Sequence, residues 1–177
     1  KDEMVYLPEE TDDQLHPMSF VVEDMEGVEA QAVDLKAGEI PEGYASFLYN
    51  GAPDVWDTTM GEGTIVAVVD TGTAPNVCLI HAVIGAPGYP DGFNATGDGV
   101  PANSPTNYYH GTHVGGAIAS SCVLSINPAS ALGLAISAYL PWDLAEVPVL
   151  GQAPMAELYP VKVFPKSGAG VPTSVIL

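Results

Sequence analysis

Thr64 to Asp70, TIVAVVD, is a continuous apolar run without alternation, closed by a single carboxylate. A β-branched run of this kind fits a strand covered on both faces, as in a parallel sheet. Gly72, Pro75 and Asn76 follow and end it, because such residues favour turns over a ladder. Upstream, Asn50 to Thr58, NGAPDVWDT, predicts a short helix, with Pro53 tolerated near the first turn, where its missing N–H has no intrahelical partner. Residues 85–107 are rich in Gly, Pro, Asn and Asp and predict a loop. His110 to Ser121 predicts a helix whose small residues let it sit close against the sheet. Ala156 to Phe164, AELYPVKVF, predicts a second strand, and Pro160, which cannot donate to a ladder, places it at an edge or a bulge. Strand, helix and strand in that order predict an α/β fold. No internal repeat is present.

The most apolar window, Cys122 to Trp142, is long enough to span a bilayer. Asn127-Pro128 and Pro141 interrupt it, and no Lys or Arg flanks it. A buried or partner-covered insertion is therefore expected, not a membrane span. Residues 1–48 differ from the rest in carrying most of the acidic groups with little sustained periodicity. They read as an acidic N-terminal arm or the remnant of a pro-segment, with residues 49–177 as the α/β unit.

Composition narrows the partners. A chain of 177 residues holds one domain, or a domain with an arm, and 47 % hydrophobic residues suffice for a core. Twenty-two acidic groups face four lysines and no arginine, a formal charge of −18. Phosphate contacts need clustered basic residues, so a nucleic-acid surface is excluded and an anionic membrane disfavoured. The acidity reads as solubility and mutual repulsion between molecules. Lys1-Asp2-Glu3 opens into an acidic stretch with no apolar leader, compatible with a cytosolic protein or a processed secreted one.

Two stretches carry candidate chemistry. VVDTG sets Asp70 at the C-terminal end of its strand, where reacting groups collect in open parallel sheets; alternatively Asp70 caps the turn by binding the Gly72 amide. HGTHVGG places His110 and His113 three residues apart at a helix start. A metal site would join both to Asp70, but zinc helices more often use i, i+4 histidines with an intervening glutamate, and neither feature is present. No metal is therefore assigned. A catalytic reading needs one histidine, held by a carboxylate that fixes its tautomer, with the other a hydrogen-bonded interior residue.

Together, VVDTG followed by HGTHVGG resembles the subtilisin-like serine proteases, the subtilases. The resemblance runs from about Gly51 to the last residue. GAPDVWDTTMGEGTIVAVVDTG is similar to the family's entry helix and aspartate strand. HGTHVGGAIAS is similar to its histidine helix, with Gly115 where alanine is usual, and GQAPMAELYPVKVF to its next strand. SGAG is similar to its substrate-pairing segment. The resemblance implies Asp70 as orienting acid, His110 as general base, and Gly168, Ala169 and Gly170 as an edge for a peptide substrate. An extended peptide held through its backbone wants little side-chain bulk there; alone, SGAG would read as a surface turn.

The family's serine sits in a GTSMA-like motif, and no such motif or oxyanion asparagine context occurs in these residues. The sequence stops at VPTSVIL, where Thr173 or Ser174 resembles a helix N-cap. The expectation is a parallel-sheet subtilisin-like fold, incomplete in this chain and exposing an apolar face of an unfinished sheet. Losing the nucleophile costs about 10⁶ in turnover, so the chain alone is expected to be inactive. The C-terminal remainder would arrive as a second polypeptide after zymogen processing, or as the rest of a longer chain. The alternative function is an inactive binding or scaffold protein on this fold.

The family commonly follows DTG with an acid that helps bind calcium; here the chain reads TAPNVCLIHAV. No cofactor is needed for the chemistry, and a structural calcium at its usual site is in doubt. In related folds the Cys78 and Cys122 segments lie side by side, so the resemblance implies a Cys78–Cys122 disulfide in place of that site, against an alternative of two buried thiols. With the bond, a secreted, extracellular protein is expected.

Overall fold

A computed structural model of the chain describes residues 4–5, 28–32, 51–131, 133–134, 146–167, 171–172 and 174. Their elements run β1 (Met4–Val5), β2 (Val28–Ala32), α1 (Ala52–Trp56), β3 (Ile65–Asp70), β4 (Phe93–Asn94), α2 (His110–Ala119), β5 (Ser121–Ile126), β6 (Glu146–Leu150), β7 (Glu157–Lys162) and β8 (Val171–Pro172). The predicted short helix, aspartate strand, histidine helix and second strand are all present.

A parallel three-stranded sheet in the order β3-β7-β4 carries the fold. β3 and β7 pair from Ile65 opposite Glu157 to Asp70 opposite Lys162, and β4 joins at Phe93 opposite Val161. The strand containing Pro160 is thus central, not an edge, which corrects the sequence expectation. The physical reason lies in the direction of its backbone groups. Leu158 gives its N–H to Ala82 and takes the Ile84 N–H on its carbonyl, and the Lys162 carbonyl takes the Ala95 N–H. Residue 160 shares their orientation and falls between the isolated Val83 bridge and the start of β4. No ladder donor is required at that point.

The helix α2 covers one face of the sheet. Val68, Leu79, Ala82, Ala119 and Leu158 form a buried cluster, with Val66, Val83, Val114 and Ile118 packed against it. On the other face Ile65 is 60 % exposed, Val69 48 % and Phe93 39 %. Among the described residues, alternate positions of β3 are thus covered by α2 and its neighbours. Trp56 anchors α1 beneath Met60 and Leu150, and its indole N–H donates to the Gln152 carbonyl at 2.9 Å.

The apolar window after α2 begins as strand β5, the centre of an antiparallel sheet in the order β2-β5-β6. β2 belongs to the acidic segment and pairs from Val28 opposite Ile126 to Ala32 opposite Cys122. The start of the insertion thus pairs with a strand of the N-terminal segment. Cys78 and Cys122 are joined by a disulfide with Cα atoms 4.8 Å apart, as the resemblance implied. Among the described residues no helix is long and apolar enough to cross a membrane.

Candidate active site

Asp70 closes β3 and His110 opens α2, forty residues later and beside it in space. The imidazole Nδ1 lies 2.9 Å from both carboxylate oxygens of Asp70. A carboxylate has no proton to give, so Nδ1–H is the donor, and whenever the ring is neutral Nε2 is its acceptor nitrogen. The Asp70 side chain is 12 % exposed, whereas a quarter of the histidine side-chain surface remains open, 26 %. The geometry therefore provides a sheltered acid behind a ring that faces out, able to take a proton and stabilised when charged.

The close approach is built by small residues and two threonines. Asp70 Oδ1 also accepts the Thr71 N–H at 2.6 Å, so the turn amide bound is that of Thr71, not Gly72. Gly72 sits at φ +105°, a conformation that side chains resist, and a Cβ there would meet the Ala102 carbonyl oxygen at 2.3 Å. The Thr71 hydroxyl donates to the Tyr108 carbonyl at 2.7 Å and accepts the Gly111 N–H at 2.9 Å, satisfying a first-turn amide that the helix itself cannot. Thr73 donates to the Gly111 carbonyl at 3.1 Å, and the Ala74 N–H donates to Thr112 Oγ1 at 3.0 Å. Gly111 must be glycine because a Cβ would lie 2.3 Å from the Gly72 carbonyl oxygen.

His113 points elsewhere and is exposed. This corrects the expectation that the second histidine is interior: three residues along a helix turn it roughly 300°, and at this position that direction is solvent. Gly168, Ala169 and Gly170 lie outside the described residues. Sequence reasoning missed Thr71, Thr73, Asn107 and Lys162. For Lys162 a signal existed: one lysine in the apolar VKVF stretch must find buried acceptors. Residues 71–84, which follow Asp70, hold no carboxylate. There Asn76 Oδ1 instead accepts the Cys78 N–H at 2.9 Å, and Cys78 is bonded to Cys122.

The sequence profile of the subtilase family matches residues 61–176, a span that includes both members of the pair. The chain belongs to the subtilase family. It is also 32 % identical over 136 residues to an intracellular serine protease of Paenibacillus polymyxa, covering 76 % of this chain and 33 % of that protein. This subtilase chain thus spans about a third of the length of that relative. The relative is described as intracellular, which overturns the expectation of a secreted, extracellular protein. That expectation leaned on the disulfide, but a bond between two thiols held at this separation reports how the subtilase fold juxtaposes them, not the compartment.

Proposed function

We propose that this chain supplies two members of the catalytic triad of a subtilisin-like serine endopeptidase. The observation that carries the reading is the 2.9 Å contact of His110 Nδ1 with both Asp70 oxygens, on a chain whose family hydrolyses peptides with such a pair. In the proposed reaction a serine hydroxyl attacks the peptide carbonyl carbon while His110 Nε2 takes its proton. His110 then returns that proton to the leaving amine, and water hydrolyses the acyl-enzyme by the same route. Asp70 holds the ring and offsets its transient positive charge. The serine and the oxyanion hole come from residues outside this sequence, on a companion polypeptide or further along a longer chain. Without them these 177 residues do not turn over substrate. Gly168, Ala169 and Gly170 provide the backbone edge for an extended peptide, and no metal enters the chemistry.

A fluorophosphonate probe labels a serine only when a base activates it. The native assembled protein is expected to label on one serine outside residues 1–177, and Asp70→Asn is expected to slow labelling by about 10⁴. Complete absence of labelling in native material would favour the binding-protein reading, in which the pair persists without a nucleophile.

A further inference from the structure

Lys162 ends the central strand β7, directly beside Asp70 in the sheet register, and is 0 % exposed. A buried ammonium is tolerated only when its three donors all find acceptors. Here Nζ donates to Asp98 Oδ2 at 2.7 Å, Asn107 Oδ1 at 2.7 Å and the Val100 carbonyl at 3.4 Å. Asp98 gathers further donors: Asn94 Nδ2 at 2.9 Å, the Val100 N–H at 3.0 Å and the Lys166 N–H at 2.9 Å. The glycine-rich loop before α2 is therefore wound around one cation.

Asn107 carries this order toward the candidate active site. Its Nδ2 donates to the Pro101 carbonyl at 2.8 Å and to the Ala102 carbonyl at 3.2 Å. The Ala102 carbonyl in turn accepts the Thr73 N–H at 2.9 Å. The amide also packs on the turn after Asp70, where a Cβ on Gly72 would come within 2.5 Å of Nδ2. The next residue, Tyr108, offers the carbonyl that Thr71 holds, and His110 lies two beyond it.

We propose that Lys162 is a positioning residue for the Asp70–His110 pair, acting through Asn107 to fix the segment that delivers the imidazole to the carboxylate. Its meaning for catalysis rests on the endopeptidase reading, but the geometry it sets can be tested without turnover. A lysine that merely stabilised the loop would leave the Nδ1–H bond as sheltered as before in any variant that still folds.

The test is proton NMR of the 15N-histidine-labelled protein, following the low-field Nδ1–H resonance assigned by its loss in His110→Gln. Asn107→Ala leaves the Lys162–Asp98 pair in place, and Lys162→Met removes the cation. In both, exchange of that proton with solvent is expected to be at least tenfold faster, with helix content and the disulfide unchanged. If Lys162→Met does not fold, Asn107→Ala decides alone. Exchange accelerated less than tenfold in folded Asn107→Ala overturns the positioning role while leaving the endopeptidase reading intact. Absence of any low-field resonance in the unsubstituted protein overturns both.

Discussion

The disulfide lends itself to a worked perturbation. Replacing Cys78 and Cys122 together with alanine removes a bond that ties residues 44 apart in sequence. The tied segment contains both the loop wound around Lys162 and the histidine helix. In the unfolded chain, losing the cross-link frees a loop of that length, which on the chain-entropy model costs about 4 kcal/mol of stability. Cys122 is fully buried, and trimming its sulfur to a methyl leaves a small void that adds about 1 kcal/mol at most. Urea unfolding followed by far-UV circular dichroism reads the result. With a slope of about 2 kcal/mol per molar urea, the midpoint should fall by roughly 2 M at unchanged slope. A fall below roughly 0.5 M at unchanged slope would refute the reasoning, as would two titratable thiols in the unfolded, unreduced protein. A changed slope would instead locate the effect in the compactness of the unfolded ensemble.

Gly115→Ala brings the histidine helix to the residue usual in the family and gains about 1 kcal/mol in helix propensity. The new Cβ would stand 2.7 Å from Thr73 Cγ2, on a fully buried threonine held through its hydroxyl. Overpacking of about 1–3 kcal/mol should win, lowering the melting temperature; a raised melting temperature would sink the packing argument. Asp98 gives an acid dependence. Burial alone would raise its pKa, but the Lys162 ammonium and the donors from Lys166, Val100 and Asn94 overcome that and hold it below the usual carboxylate range. Because the folded value is the lower one, its contribution is full above about pH 4 and is lost as pH falls toward the folded value. Acid unfolding curves should therefore flatten in Asp98→Asn relative to the parent, and parallel curves would refute the assignment.

Much of the site was legible because its chemistry needs particular residues at particular places. A carboxylate ending an apolar run and a histidine opening a glycine-rich helix are local features, and the fold only has to bring them together. Helical spacing alone did not choose between His110 and His113, because it does not say which side of α2 faces the strand; the family resemblance made that choice. Pro160 misled because the rule against proline in central strands assumes a continuous neighbour, and here the neighbouring segment pairs only before and after it. The pairing of β2 with β5 joins residues roughly ninety positions apart across segments of different character, beyond the reach of any periodicity. Lys162 shows the same limit, for its acceptors come from residues 98, 100 and 107, and no spacing rule predicts that convergence.

The proline in the middle of β7 has a consequence for how the sheet tolerates change. Since residue 160 asks nothing of the segment alongside, the turn in which Ala86 and Tyr89 exchange N–H bonds carries no rung of the ladder. Gly88 at its tip faces open space but holds φ +87°, so a change there should insert residues and keep the glycine. This is the place where the chain can be lengthened, cut or fitted with a reporter while the strand ends holding Asp70 and Lys162 keep their register.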